Sequence, residues 1–224
     1  MKRSNTVGVA RFYDLTCYRQ KVAYHEAGHA TAIHFNSLKD LPPVFFQIIF
    51  KDVEKQSVRG QAVAQASRSA SIKGGRLIQC LPMVFNTLEN QVSDPIDNKL
   101  FRYTDDYRLA FEADIINLLI GPLAEAKYCA QIDDEPFHRQ LLTIEALKYY
   151  GGDADLAVVK DYLQSYTADK QEQDDGLNHF LSMAFNFVND YANWAAITRL
   201  ADYILASNKN MIGCDEVAVV LDGI

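Results

Sequence analysis

Two histidines four residues apart, with a glutamate beside the first, are the residues of this chain whose types and spacing can do chemistry: His25-Glu26-Ala27-Gly28-His29. On a helix, positions i and i+4 share a face, so both imidazoles can reach one metal ion. The pattern H-E-x-x-H is therefore a hydrolytic half-site, with zinc as the expected ion and Glu26 as the expected general base toward a water acidified to a pKa of about 7. Such a site needs a third protein ligand and one open position. Two downstream carboxylates compete for the ligand role, Glu125 in Gly121-Pro122-Leu123-Ala124-Glu125-Ala126 and Asp155 in Gly151-Gly152-Asp153-Ala154-Asp155-Leu156. Spacing does not choose between them, and His34 stands at the wrong offset for the extended metzincin motif.

The elements that must position these groups follow from periodicity. Residues 13–35 are rich in Ala and free of Pro, which predicts a helix carrying the whole motif. Short apolar runs at 44–50 and 60–65, with a third at 76–80, predict a small antiparallel sheet, and its 44–50 or 60–65 edge is the expected dock for an extended peptide. Turn formers through 82–105 predict a long loop or insertion. From residue 106 onward the pattern is helical, with a break or kink expected at Gly121-Pro122. A helix is expected from Asp134-Glu135-Pro136 to Gly151-Gly152, another capped by Asp153 and running to about residue 166, then a polar link over 167–176. Helices over 177–191, around Trp194 to Ile204, and over 215–221 close the chain. The fold class expected is α+β, mostly α-helical, as a single domain over 1–224 with a small sheet and a C-terminal helical bundle.

Composition narrows the functions further. The chain has 224 residues, 49% of them hydrophobic, and a formal net charge of −7 from 22 Lys+Arg against 29 Asp+Glu, which argues against nucleic acid or an anionic membrane as the main partner. The most apolar runs fall far short of the roughly 20 residues of a membrane span. Cys17, Cys80, Cys129 and Cys214 form no C-x-x-C pair, so reduced thiols and a cytoplasmic location are expected, with zinc left to His and Asp. His138 and His179 read as surface or packing residues, Tyr149-Tyr150 as core or interface, and the acidic stretches 133–135 and 169–175 as solvated faces.

Three segments in one order, His25-Glu26-Ala27-Gly28-His29-Ala30, then Gly121-x-x-Ala124-Glu125, then Gly152-Asp153-Ala154-Asp155-Leu156, resemble the peptidase domain of the FtsH-type ATP-dependent zinc proteases. Arg59-Gly60-Gln61-Ala62 is similar to that family's strand after the zinc helix, and Trp194 to Val217 to its closing helices. The resemblance implies a zincin-like fold, one zinc ion completed by Asp155, and Glu125 near the metal as an orienting residue or rival ligand. It also implies a zinc-dependent metalloendopeptidase acting on peptides or unfolded proteins, a homo-oligomer, and a separate ATPase partner. No G-x-x-x-x-G-K-[ST] occurs in the sequence, so no ATP site is expected in this chain. Pro122, Leu123 and Ala126 depart from the family's segment around Glu125. The alternative from another class is a non-catalytic, metal-binding scaffold or regulatory protein of the same fold.

Overall fold

A computed structural model of the chain describes residues 6–37, 43–53, 67–80 and 98–223. In chain order the elements are α1 (Thr6–Ser37), β1 (Phe46–Val53), β2 (Ser67–Gly74), α2 (Asn98–Ile132), α3 (Ile144–Leu147), α4 (Asp153–Tyr166), α5 (Lys170–Asn189), α6 (Tyr191–Ala206), β3 (Met211–Gly213) and α7 (Cys214–Asp222). The described residues are mostly helical, with one antiparallel sheet of three strands in the order β2-β1-β3. Among them no helix is long and apolar enough to cross a membrane.

Helix α1 is the spine. Ala23, Ala27, Ala30 and Ala32 are almost fully buried, and such small side chains let α2, α6, α7 and β2 come close around the same helix. Its i, i+4 rows feed two apolar clusters. One joins α1 to the sheet, α6 and α7 through Ile48, Ile197, Leu200 and Ile212. The other joins α2 to α4 and α5 through Leu119, Leu123, Leu147, Val159 and Leu181. Helices α1 and α2 contribute to both, so their line of contact is the seam of the molecule.

Several expectations are corrected. The expected break at Gly121-Pro122 does not occur: α2 runs through Pro122. Pro122 removes one hydrogen bond to the Leu118 carbonyl, a cost of about 3 kcal/mol, and residues 117–126 offset it by being buried without exception between α1 and α4. The expected loop over 82–105 reaches no further than residue 97, because α2 opens at Asn98; residues 81–97 lie outside the described residues. The run 76–80 is not a strand but ends in a 3₁₀ turn at Ile78–Cys80, held by a buried carboxylate described below. Asp134-Glu135-Pro136 opens no helix; Asp134 takes φ 52, and the chain makes 3₁₀ turns at Arg139–Leu141 and Lys148–Tyr150 around the short α3, which Thr143 caps by accepting from the Ala146 N–H. The N-cap of α4 is Gly152, with Asp153 inside the first turn. The link before α5 is short because Asp169 accepts from the N–H groups of Gln171 and Glu172 and starts the helix at Lys170.

The sheet also differs from expectation in a way that bears on the site. Strand β1 carries the apolar run expected there, but it is the central strand, paired with β2 along its length and with β3 at Gln47, Ile48 and Ile49. The expected strand at 60–65 lies outside the described residues. Among the described residues the edge nearest α1 belongs to β2, whose sequence Ser-Arg-Ser-Ala-Ser-Ile-Lys-Gly has none of the apolar density that marks a buried strand.

Candidate metal centre

The site is built on α1 and completed by residues 117–125 of α2 and by the turn that starts α4. His25, Glu26 and His29 are 7%, 8% and 7% exposed, which is unusual for three polar side chains within five residues and demands partners for each. The two imidazoles converge through the same ring atom: Nε2 of His29 lies 3.1 Å from Nε2 of His25. Oδ2 of Asp155, in the first turn of α4, lies 3.2 Å from the former His25 atom and 3.4 Å from His29 Nε2. A tetrahedral zinc with bonds of about 2.0–2.1 Å separates its ligand atoms by about 3.3 Å, so the triangle has the size of one face of such a site.

The outer ring atoms are engaged elsewhere. His29 Nδ1 donates to the Asn117 carbonyl at 2.7 Å, and His25 Nδ1 donates to Glu125 Oε2 at 3.1 Å and to the Tyr150 carbonyl at 3.2 Å. Anchoring of each Nδ1–H leaves both Nε2 lone pairs aimed at one point, the tautomer that metal-binding histidines need. Two lone pairs cannot face each other at this distance without a positive charge between them. Burial pushes the His25 imidazole down, but hydrogen bonds to Asp155 and Glu125 and the charges of Glu26 and Asp155 outweigh it and raise it to about 10. For Asp155, burial pushes the carboxyl up, yet the charge of His29 and hydrogen bonds from both histidines hold it well below the usual carboxylate range. The donor set, two neutral imidazoles and a carboxylate with their outer atoms anchored, fits a divalent zinc ion.

Glycines make the room. A Cβ at Gly121 would fall inside the His29 ring, against Nε2, Cε1 and Cδ2. Gly151 takes φ 71, a left-handed conformation that favours glycine, and a Cβ there would stand 3.0 Å from Glu125 Oε2 and 3.1 Å from His25 Nδ1. This turn brings Asp155 over the histidines.

Glu26 points to the β2 side. Burial raises its carboxyl above the ordinary range, partly offset by the charges of His25 and His29 and by the Ile72 N–H, which donates to it. The Gly75 N–H donates to the Phe45 carbonyl at 3.0 Å, so Phe46↔Gly74 and Ile48↔Ile72 are non-hydrogen-bonded pairs and the Ile72 N–H faces away from β1. By the alternation of an antiparallel ladder, the N–H and C=O groups of Ala70 and Gly74 face the same way. A cavity of about 270 Å³ opens between this edge and the triad, lined among others by His25, Glu26, His29, Ser71, Ile72 and Asp155.

Of the residues singled out in the sequence, His25, Glu26, His29, Glu125 and Asp155 are thus brought together, with Glu125 on the outer, Nδ1 face of His25. His34 is not part of the site; it pairs with Asp222 at 2.9 Å. His138 is exposed, His179 lies edge-on to Phe180, and Tyr149 is exposed, while its neighbour Tyr150 contributes its carbonyl to His25. Sequence reasoning missed the Asn117 carbonyl and the Ile72 N–H, which are backbone groups with no signature in residue type, and Gly121 and Gly151 as spacers around the imidazoles. Among the described residues His25, His29 and Asp155 are the group of side chains whose atoms could hold one metal ion. Compared with protein-family models, curated proteins and solved structures, the chain has no match.

Proposed function

We propose that the chain is a zinc-dependent metalloendopeptidase of zincin-like, FtsH-peptidase type that cuts extended or unfolded polypeptide. The observation that carries this reading is the convergence of His25 Nε2, His29 Nε2 and Asp155 Oδ2 on one point with Glu26 beside it in the same cavity. His25, His29 and Asp155 hold the ion, and Glu125 and the Asn117 carbonyl orient the imidazoles. When bound, zinc supplies a Lewis acid for the scissile carbonyl and a water of lowered pKa. Glu26 accepts a proton from the attacking water and returns it to the leaving amine nitrogen, a role that its raised proton affinity suits. Ala70 and Gly74, with the Ile72 carbonyl, offer the backbone groups of a strand edge to an extended substrate, and main-chain pairing of this kind gives broad sequence tolerance.

The test is metal content of the purified chain followed by cleavage of unfolded casein. The reading predicts one zinc per chain, cleavage abolished by chelator, and a loss of about 10²–10⁴-fold in Glu26→Gln with the metal retained. Bound zinc without Glu26-dependent cleavage would point to the metal-binding scaffold instead.

A further inference from the structure

Asn117 of α2 lines the same cavity as His25, Glu26, His29 and Asp155. One turn earlier on the helix, Asp114, 0% exposed, accepts from the Leu77 N–H at 2.8 Å, the Ile78 N–H at 3.1 Å and the Tyr162 hydroxyl at 3.4 Å. That carboxylate ties this stretch of α2 to the chain leaving β2 and to α4, so Asn117 is presented from a fixed backbone.

The polar atoms of Asn117, which is 4% exposed, are engaged with one exception. Its carbonyl accepts from His29 Nδ1 at 2.7 Å, and its Oδ1 accepts from Asn36 Nδ2 at 2.6 Å. Its own Nδ2 is buried and meets no acceptor among the described residues. The bond to Asn36 fixes which way the amide faces, because turning it by half a rotation would set one NH2 group against another. With the carbonyl and Oδ1 both taken, Nδ2 is what Asn117 has to offer the cavity that it lines. A buried amide donor without an acceptor is costly, and native interiors keep few of them. The two other buried side-chain atoms in this condition among the described residues, Thr31 Oγ1 and Arg139 Nε, belong to residues that do not line the cavity. A donor of this kind beside reacting groups is a place where an acceptor arrives from outside the chain. An extended polypeptide carries such an acceptor, its backbone carbonyl oxygen, at every residue.

Resting on the peptidase reading above, we infer that Asn117 is a substrate-binding residue of this cavity, whose Nδ2 donates to one backbone carbonyl oxygen of the bound polypeptide close to the scissile bond. The contact reads no side chain, and it sets the register of the polypeptide against the triad.

The experiment measures affinity as well as turnover. Zinc-loaded Glu26→Gln protein is titrated, by fluorescence anisotropy, with an unstructured peptide and with a series in which one backbone amide at a time is a thioamide, whose sulfur is the weaker acceptor. The titrations are repeated with Asn117→Asp, which keeps the acceptor for Asn36 and loses the free donor, and with Asn117→Ala. Both variants keep the backbone carbonyl that holds His29, and zinc content and circular dichroism are followed in each. The all-amide peptide should bind about tenfold more weakly to either variant, and kcat/KM with Glu26 restored should fall about as much. One thioamide position should weaken binding when Asn117 is present and have no effect in the variants. If Asn117→Ala loses zinc or helical signal, Asn117→Asp decides. Unchanged affinity in Asn117→Asp, or a thioamide profile without any position that depends on Asn117, overturns the inference. Cleavage that is indifferent to Asn117 overturns this contact alone. An Asn117-dependent thioamide position without cleavage sustains it and counts against the peptidase reading instead, and no binding of any peptide overturns both.

Discussion

Gly121 of α2 lies flat against the imidazole of His29 on α1, so close that even a methyl group at that position would occupy the ring. The close approach of the two long helices is therefore set by small residues on both, Gly121 against the His29 ring and Gly28 against Ala124 and the Ile120 carbonyl. Gly121→Ala should keep or raise helical propensity, since Ala is the better helix former, while forcing His29 off the convergence point. We expect far-ultraviolet circular dichroism to be unchanged and zinc affinity to fall at least tenfold in a competitive chelator titration.

Glu125 meets His25 on the side opposite Asp155 and His29. Its Oε2 accepts from Nδ1 at 3.1 Å and thereby fixes the ring and makes Nε2 a better donor. Glu125→Ala should weaken zinc binding about 10–100-fold without removing a ligand atom, and Glu125→Gln, which keeps an acceptor, should weaken it less. Parallel chelator titrations of the two variants check the order.

On the zinc reading, the ion takes the place of a proton held by His25. With His25 raised to about 10, the metal-free site carries that proton at neutral pH, so each zinc bound at pH 7–8 should release about one proton. Calorimetry in two buffers of different ionisation enthalpy measures the number; zero release would mean that His25 is already neutral.

The same proton sets how the metal-free chain responds to pH. His25 is raised in the folded state from 6.5 to about 10, so the stability it contributes is complete below about pH 6.5 and is lost as pH rises toward 10. Asp155, held low, contributes stability that is lost at the acid end, as pH falls below the ordinary carboxylate range. The melting temperature of chelator-treated protein should therefore fall steadily from pH 6.5 to 10, and saturating zinc should remove that fall by stabilising the neutral-imidazole form.

How much of this was legible in the sequence depends on what kind of group carries each feature. His25, Glu26 and His29 announce themselves because helical periodicity turns a spacing of four into a shared face. Asp155 and Glu125 stayed rivals on spacing alone, since one meets His25 from a turn 130 residues away and the other reaches the same ring from a different helix. The resemblance to the FtsH-type peptidases implied Asp155, and in the structure the two carboxylates meet different ring atoms of His25, Asp155 at Nε2 and Glu125 at Nδ1. Strand β2 was missed because an edge strand needs no apolar run, and β3, three residues long, is too short to show a period. Pro122 misled because a proline's local cost is blind to the burial on both sides of it. The 3₁₀ turn at Ile78–Cys80 depends on Asp114, a partner 36 residues away in sequence, which no local pattern contains.

The claim on which the account rests is that His25, His29 and Asp155 hold one zinc ion. X-ray absorption at the zinc edge, on wild type and on Asp155→Ala, tests it most directly. The account predicts one zinc per wild-type chain with two imidazole nitrogens and light oxygen scatterers at about 2.0–2.1 Å, no sulfur, and loss of one oxygen ligand with at least tenfold weaker binding in Asp155→Ala. Sulfur scattering at about 2.3 Å, or a zinc environment identical in the two proteins, would contradict it.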